Sequence, residues 1–174
     1  MDKPLHVVIV VGSRSVPEQL FRSALGELSP QAALRRAVGR DVSVSVLSQL
    51  PPDEAGDLSA VHVVSPSRRP LADRVLARLP LGGAETVLRK SPLGRLLISL
   101  GPTDPSRVFW RAVRADPAAL AMLSSADVVL AADLPAVRTA WQVLHTGKVP
   151  QAYFGLQAAE KVFTARFRDT QPAV

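Results

Sequence analysis

The stretch Gly12-Ser13-Arg14-Ser15 combines a glycine turn with polar side chains, directly after an apolar run and before a candidate helix start. Free N–H groups at a helix start attract phosphate or carboxylate, and the serine and arginine side chains would add further donors. The stretch lacks the second glycine of a dinucleotide-binding loop and the Gly-Lys ending of a Walker loop. It predicts ligand binding by Gly12, Ser13, Arg14 and Ser15, with an ordinary capped turn as the alternative.

A second candidate for chemistry is Asp133, in Ala131-Ala132-Asp133-Leu134-Pro135 at the end of another apolar run. A carboxylate at a strand tip can act on a hydroxyl group as an acid or base, so Asp133 is the candidate catalytic residue. The same side chain can instead cap the helix that follows, and capping alone would explain it. Glu160 falls within a later predicted helix, where it can simply be solvated.

The remaining residue types that could do chemistry are sparse. The three histidines, His6, His62 and His145, are far apart in the sequence, and cysteine is absent. Zinc sites and thiol chemistry need closer groupings of these residues. Two histidines fall in strand patterns and His145 in the last turn of a helix, where a cation is favoured. Structural roles are therefore expected, and no metal or cofactor is predicted.

Composition limits the class of partner. The chain has 174 residues, which suits one domain, and a formal net charge of +6. Its basic residues are spread out, and aromatic residues make up only 5%. Nucleic-acid surfaces combine clustered basic residues with aromatic side chains, so this distribution argues against nucleic acid. No apolar run approaches 18 residues and no signal peptide is recognisable, so a cytoplasmic location is expected.

The spacing of apolar residues predicts the elements that must position these candidates. Cap-plus-proline pairs such as Ser29-Pro30 and Asp116-Pro117 mark helix starts, and Gly147 suits a left-handed helix end. Strands are predicted over Leu5–Val11, Val42–Leu47, Ala60–Val64, Asp127–Ala131 and Gln151–Leu156, the last at a sheet edge because Pro150 precedes it. Helices are predicted over 16–28, 30–38, 70–79, 104–114, 117–124, 134–145 and 156–167.

Strands and helices alternate along most of the chain. This order predicts a three-layer, Rossmann-like α/β fold: a mostly parallel sheet of about five strands with helices on both faces. Ligands of such sheets bind at the carboxyl ends of the strands, where Gly12 and Asp133 would lie. Alternation does not distinguish a Rossmann-like strand order from a flavodoxin-like one.

Residues 85–100 fit this alternation less well. They place Leu93, Leu96, Leu97 and Leu100 on one helical face, with basic residues opposite. A core-facing helix with a solvated rim produces this pattern, and so does a helix that contacts a membrane or a partner through residues 93–100.

Residues 126–160, ADVVLAADLPAVRTAWQVLHTGKVPQAYFGLQAAE, resemble the end of the N-terminal, acceptor-side domain of GT-B glycosyltransferases. The shared features are a strand ending in Asp-Leu-Pro, a helix, and a strand that begins after proline. The resemblance implies that Gly12 and Ser13 line the cleft and that Asp133 lies near the acceptor. Two features depart from it: Ala132 stands where family members often have histidine, and 174 residues leave no room for the donor-binding domain.

Three functions follow as hypotheses. The resemblance implies a glycosyltransferase-like domain that acts as an acceptor-binding or accessory subunit, with a protein partner supplying the donor-binding domain. The fold is equally compatible with a non-catalytic binding protein that acts alone. A small nucleotide-binding protein that uses the 12–15 loop is the third hypothesis, because fold by itself does not define function.

Overall fold

The computed structural model describes residues 3–13, 29–52, 57–65 and 104–170. Five strands form one fully parallel sheet in the order β3-β2-β1-β4-β5. This is the Rossmann-like order, so the predicted fold class is confirmed and the flavodoxin-like alternative is excluded. The strands are β1 (Leu5–Val11), β2 (Val42–Ser48), β3 (Ala60–Val63), β4 (Val128–Ala131) and β5 (Gln151–Phe154).

Helices flank the sheet at the positions that the cap-plus-proline pairs predict. Ser29, Asp104, Asp116 and Asp133 each accept backbone N–H groups of the helix that follows, and a proline lies in the first turn of each helix. Gly147 has a φ of 68° after the fourth helix, as expected. The helices are α1 (Pro30–Val38), α2 (Pro105–Ala115), α3 (Pro117–Ser124), α4 (Leu134–His145) and α5 (Leu156–Thr170). The helices predicted at 16–28 and 70–79, and the apolar–basic segment 93–100, lie outside the described residues.

The core has two halves because β1 is apolar on both faces. Val8 and Val10 face a buried cluster that includes side chains of α2, α3 and α4. Val7 and Ile9 face the opposite cluster, formed with α1 and α5. This arrangement accounts for the nearly continuous apolar run of the first strand. In the described part of the chain, no helix combines the length and the apolar character needed to cross a bilayer.

Candidate functional site

The strand order creates a topological switch point between β1 and β4. The chain runs from β1 outward to β2 and β3, then returns to the other side of β1 to form β4. Open α/β sheets bind ligands at this point, in the crevice beyond the carboxyl ends of the strands. The loops that leave β1 and β4 meet here and bring Gly12, Ser13 and Asp133 together, as their positions at the strand tips predict. Arg14 and Ser15 lie outside the described residues.

The Asp133 carboxylate joins the two loops. Its Oδ1 accepts the backbone N–H of Gly12 at 3.0 Å and that of Ala136 at 2.9 Å, and its Oδ2 accepts the N–H of Ser13 at 2.7 Å. One side chain therefore caps α4 and fixes a loop 120 residues away in the sequence. The structure gives Asp133 this positioning role, and its catalytic role stays a prediction.

Gly12 is required at the switch point because the α4 start packs directly against it. A Cβ atom on Gly12 would lie 2.7 Å from the Ala136 nitrogen and 2.8 Å from the Pro135 Cβ. Real Cβ atoms do not approach backbone this closely, so a larger residue must push the two loops apart. The glycine thus lets the loop after β1 touch the first turn of α4.

Gln49 is a site residue that sequence reasoning missed. Its Nε2 donates to the Gly12 carbonyl oxygen at 2.5 Å, from the position that follows β2. A glutamine after a serine-alternating strand carries no distinctive pattern, and its partner lies 37 residues away. Only the pairing of β1 with β2 brings the two residues together.

The crevice differs from a phosphate cradle in its charge and in its donors. A phosphate-binding loop directs free N–H groups at the ligand. Here the N–H groups of Gly12, Ser13 and Ala136 point at a carboxylate. A carboxylate offers about four acceptor positions, and Asp133 uses three of them on the described residues. The acceptor position that these described residues leave is on Oδ2, and its chemistry suits a neutral hydroxyl donor better than an anion.

A second polar pair lies at the edge of the sheet. His62 of β3 contacts Asp116 through Nε2 and Oδ2 at 2.7 Å, and Asp116 also accepts the N–H groups of Ala118 and Ala119. The hydrogen bond from His62 lowers the pKa of Asp116, and the two backbone donors act in the same direction. Both side chains are about one quarter exposed. This contact connects the α3 cap to the sheet.

The other two histidines have structural contacts. The His6 ring bonds to the Ser125 carbonyl oxygen at 3.1 Å and to the Ser45 hydroxyl at 3.0 Å. His145 bonds back to the Trp141 carbonyl oxygen and stacks on the Trp141 ring. Among residues 3–13, 29–52, 57–65 and 104–170, no cluster of three or more histidine or acidic side chains has the geometry of a metal site.

Four large apolar side chains are exposed on α4 and at the end of β5. Leu134 is 76% exposed, Trp141 50% and Phe154 53%, and Val137 is exposed as well. Phe154 shares its strand face with Ala152, which packs on the α4 side of the sheet, because residues two apart on a strand point the same way. We name this set, Leu134, Val137, Trp141 and Phe154, the α4 surface.

Fold and site together define a Rossmann-like α/β domain. At its topological switch point the Asp133 carboxylate links the β1 loop to the start of α4. Comparisons with protein-family models, curated proteins and solved structures give no match to this chain.

Proposed function

We propose that this chain is a cytoplasmic accessory subunit that holds the acceptor side of a sugar-transfer reaction and acts with a partner chain that supplies the donor site. The resemblance of residues 126–160 to the acceptor-side domain of GT-B glycosyltransferases supports the proposal. The contacts of Asp133 carry it, because they determine which ligands the crevice can hold.

The N–H groups of Gly12 and Ser13 are already bonded to Asp133, so we expect the nucleotide sugar to bind elsewhere, on the partner chain. Gly12 and Ser13 direct their N–H groups at Asp133, so the described part of the crevice presents a negative charge where a diphosphate would need donors. A nucleotide sugar would meet like-charge repulsion at this point. This observation also counts against the nucleotide-binding hypothesis for the 12–15 loop.

The same carboxylate suits an acceptor hydroxyl. Its position is held by three hydrogen bonds from the β1 loop and the first turn of α4, and the described residues leave one acceptor position of Oδ2. A hydroxyl bound there would be oriented by a rigid group that can also receive its proton. Asp133 is therefore the residue we assign to the acceptor in this proposal.

The first experiment measures thermal stabilisation of the isolated chain by nucleoside diphosphates, nucleoside triphosphates and nucleotide sugars. We expect no shift, whereas a ligand present at about 100 times its Kd would add about 2.7 kcal/mol to the free energy of unfolding. Stabilisation by plain nucleotides would contradict the proposal and favour the nucleotide-binding hypothesis.

The second experiment purifies the tagged chain from its native host, identifies the partner and measures release of nucleoside diphosphate from nucleotide sugars. Turnover is expected only with both chains and an acceptor present. Asp133→Asn should lower kcat by about 100-fold if the carboxylate receives a proton, while Asp104→Asn, which changes a helix cap that bonds to Ser106 and Arg107, serves as the control. A chain that acts without a partner, or a complex with no transfer activity, would overturn the proposal.

A further inference from the structure

The α4 surface is a regular helical feature. Leu134, Val137 and Trp141 stand at positions i, i+3 and i+7, which places them on one side of α4 over about 10 Å. The opposite side of the helix, which includes Ala136, Ala140 and Val143, is buried in the core. Residues 3–13, 29–52, 57–65 and 104–170 cover one of these two apolar sides and leave the other exposed.

The Trp141 side chain is ordered by an intramolecular contact although half of it is exposed. Its ring stacks on the His145 ring, with centroids 3.9 Å apart and planes at 29°, while half of the tryptophan remains exposed. An aromatic side chain that is already ordered loses less conformational entropy when a partner covers it. Tryptophan is also among the residues that dominate binding energy at protein interfaces.

From Leu134 to the end of β5 the formal charges are positive, whereas the Asp133 carboxylate at the start of α4 is bonded to three backbone N–H groups. The sequence from Leu134 to Ala159 contains no aspartate or glutamate, and it contains Arg138 and Lys148. The Arg138 side chain is half-buried on this side of α4, and its guanidinium can donate to a carboxylate of a docked partner.

A second copy of the chain fits this surface poorly. An antiparallel pair of α4 helices that matched Leu134 with Trp141 would bring both Arg138 side chains beside the two-fold axis. Each chain also carries a formal net charge of +6. Like charges oppose self-association at such a contact, whereas acidic side chains would complement it.

We propose that the α4 surface docks an amphipathic acidic helix of the partner protein, with apolar side chains on Leu134, Val137 and Trp141 and a carboxylate on Arg138. The docked helix needs at least two turns, because Leu134 and Trp141 are seven positions apart, about two turns of α4. The inference rests on the proposed function, since it names the chemistry of the partner that the accessory role requires.

The test places the photo-crosslinking residue p-benzoylphenylalanine at position 137 of the full chain in its native host. The same residue at Gln157, an exposed position on α5, is the matched control. We expect position 137, and not position 157, to capture a segment whose sequence has apolar residues at helical spacing and a net negative charge. Capture of a second copy, of lipid, or of a segment without acidic excess would overturn the inference.

The captured segment is then synthesised, and its Kd for the full chain is measured by fluorescence of a dye on the peptide. Leu134→Ser and Arg138→Glu should each weaken binding at least 10-fold, and added salt should weaken binding to the unmodified chain but not to the Arg138→Glu variant. Each variant is first checked for an unchanged melting temperature. Unchanged affinity in both variants would overturn the inference.

Co-sedimentation with vesicles of phosphatidylserine and phosphatidylcholine tests whether the α4 surface binds a membrane instead of a protein. The full chain should not co-sediment with them; co-sedimentation that Leu134→Ser abolishes would assign the surface to lipid and overturn the inference. If the α4 surface does not dock an acidic helix, the proposed accessory function is still supported when a partner binds elsewhere and sugar transfer occurs. Conversely, an acidic helix captured from a complex that transfers no sugar would support docking and contradict the proposed function.

Discussion

Asp133 and Asp116 hold the same position in their helices but have different partners. Each is an N-cap residue, followed closely by proline, that accepts backbone N–H groups of its own helix. Asp133 also accepts the N–H groups of Gly12 and Ser13 at the switch point. Asp116 instead bonds to His62, an ionisable side chain at the edge of the sheet.

The difference shows that the same N-cap arrangement can make two kinds of tertiary contact. At α4 the carboxylate joins the β1 loop to the helix start through backbone N–H groups. At α3 the contact is between two ionisable side chains, so its strength depends on pH. The predictions below test this contrast.

The largest effect is expected for Asp133→Ala. It removes a helix cap and leaves the N–H groups of Gly12 and Ser13 without their acceptor, which should cost about 3 kcal/mol in the free energy of unfolding. Asp104→Ala is the matched control, because among the described residues that side chain bonds only to Ser106 and Arg107 of α2, and a loss of about 1 kcal/mol is expected. Urea denaturation monitored by circular dichroism measures both. Equal losses would show that the contact with the β1 loop adds nothing.

Gly12→Ala should cost about 2 kcal/mol, because the new Cβ meets the backbone of Pro135 and Ala136 at 2.7 Å. Gly147→Ala provides the comparison: apart from its chain neighbours, no atom of the described residues lies within 4 Å of its added Cβ, so the positive φ opposes the substitution, at about 1 kcal/mol. The same denaturation experiment applies. If Gly147→Ala were the more damaging change, the close contact between the β1 loop and α4 would not be what requires glycine.

Asp116→Asn should produce the smallest loss, about 1 kcal/mol at pH 7, and the loss should depend on pH. The pKa of Asp116 is lowered in the folded chain, first by the hydrogen bond from His62. The ionised carboxylate therefore stabilises the fold above its unfolded pKa of about 4, and this contribution disappears as pH falls through the lower folded value. The difference between wild type and Asp116→Asn should shrink accordingly between pH 5 and pH 2.5.

A double-mutant cycle with His62→Gln assigns that effect to the pair. Coupling between the two substitutions should be measurable at pH 7 and should vanish as pH falls through the lowered pKa of Asp116 and the carboxylate is protonated. Additive losses at every pH would indicate that the cap, and not the histidine contact, stabilises α3.

Much of the fold was predictable because its signals are local. The cap at Asp116-Pro117 predicts the first residue of α3, and the β-branched run Leu5–Val11 predicts the full extent of β1. The end of β5 was less predictable: the chain leaves the strand after Phe154, because Gly155 turns it with a φ of 79° and α5 begins at Leu156.

The candidate site was predictable only in part. Gly12, Ser13 and Asp133 were recognisable as strand-tip residues, and the sheet brings them together. The contact of Gln49 with Gly12 and the contact of His62 with Asp116 were not recognisable, because they join residues that are 37 and 54 positions apart, respectively. Catalysis by Asp133 and ligand binding by the 12–15 loop stay predictions.

The sequence by itself determined the alternating elements, the helix starts and the parallel sheet, since periodicity, capping and proline geometry act over a few neighbouring residues. Only the tertiary structure decided the strand order and the partners of each carboxylate. Asp133 shows the reason: a side chain that caps its own helix looks the same in sequence whether or not a distant loop supplies further N–H donors. Which distant N–H groups reach the carboxylate depends on which strands pair. Here the pairing of β1 with β4 brings the Gly12 N–H to Asp133.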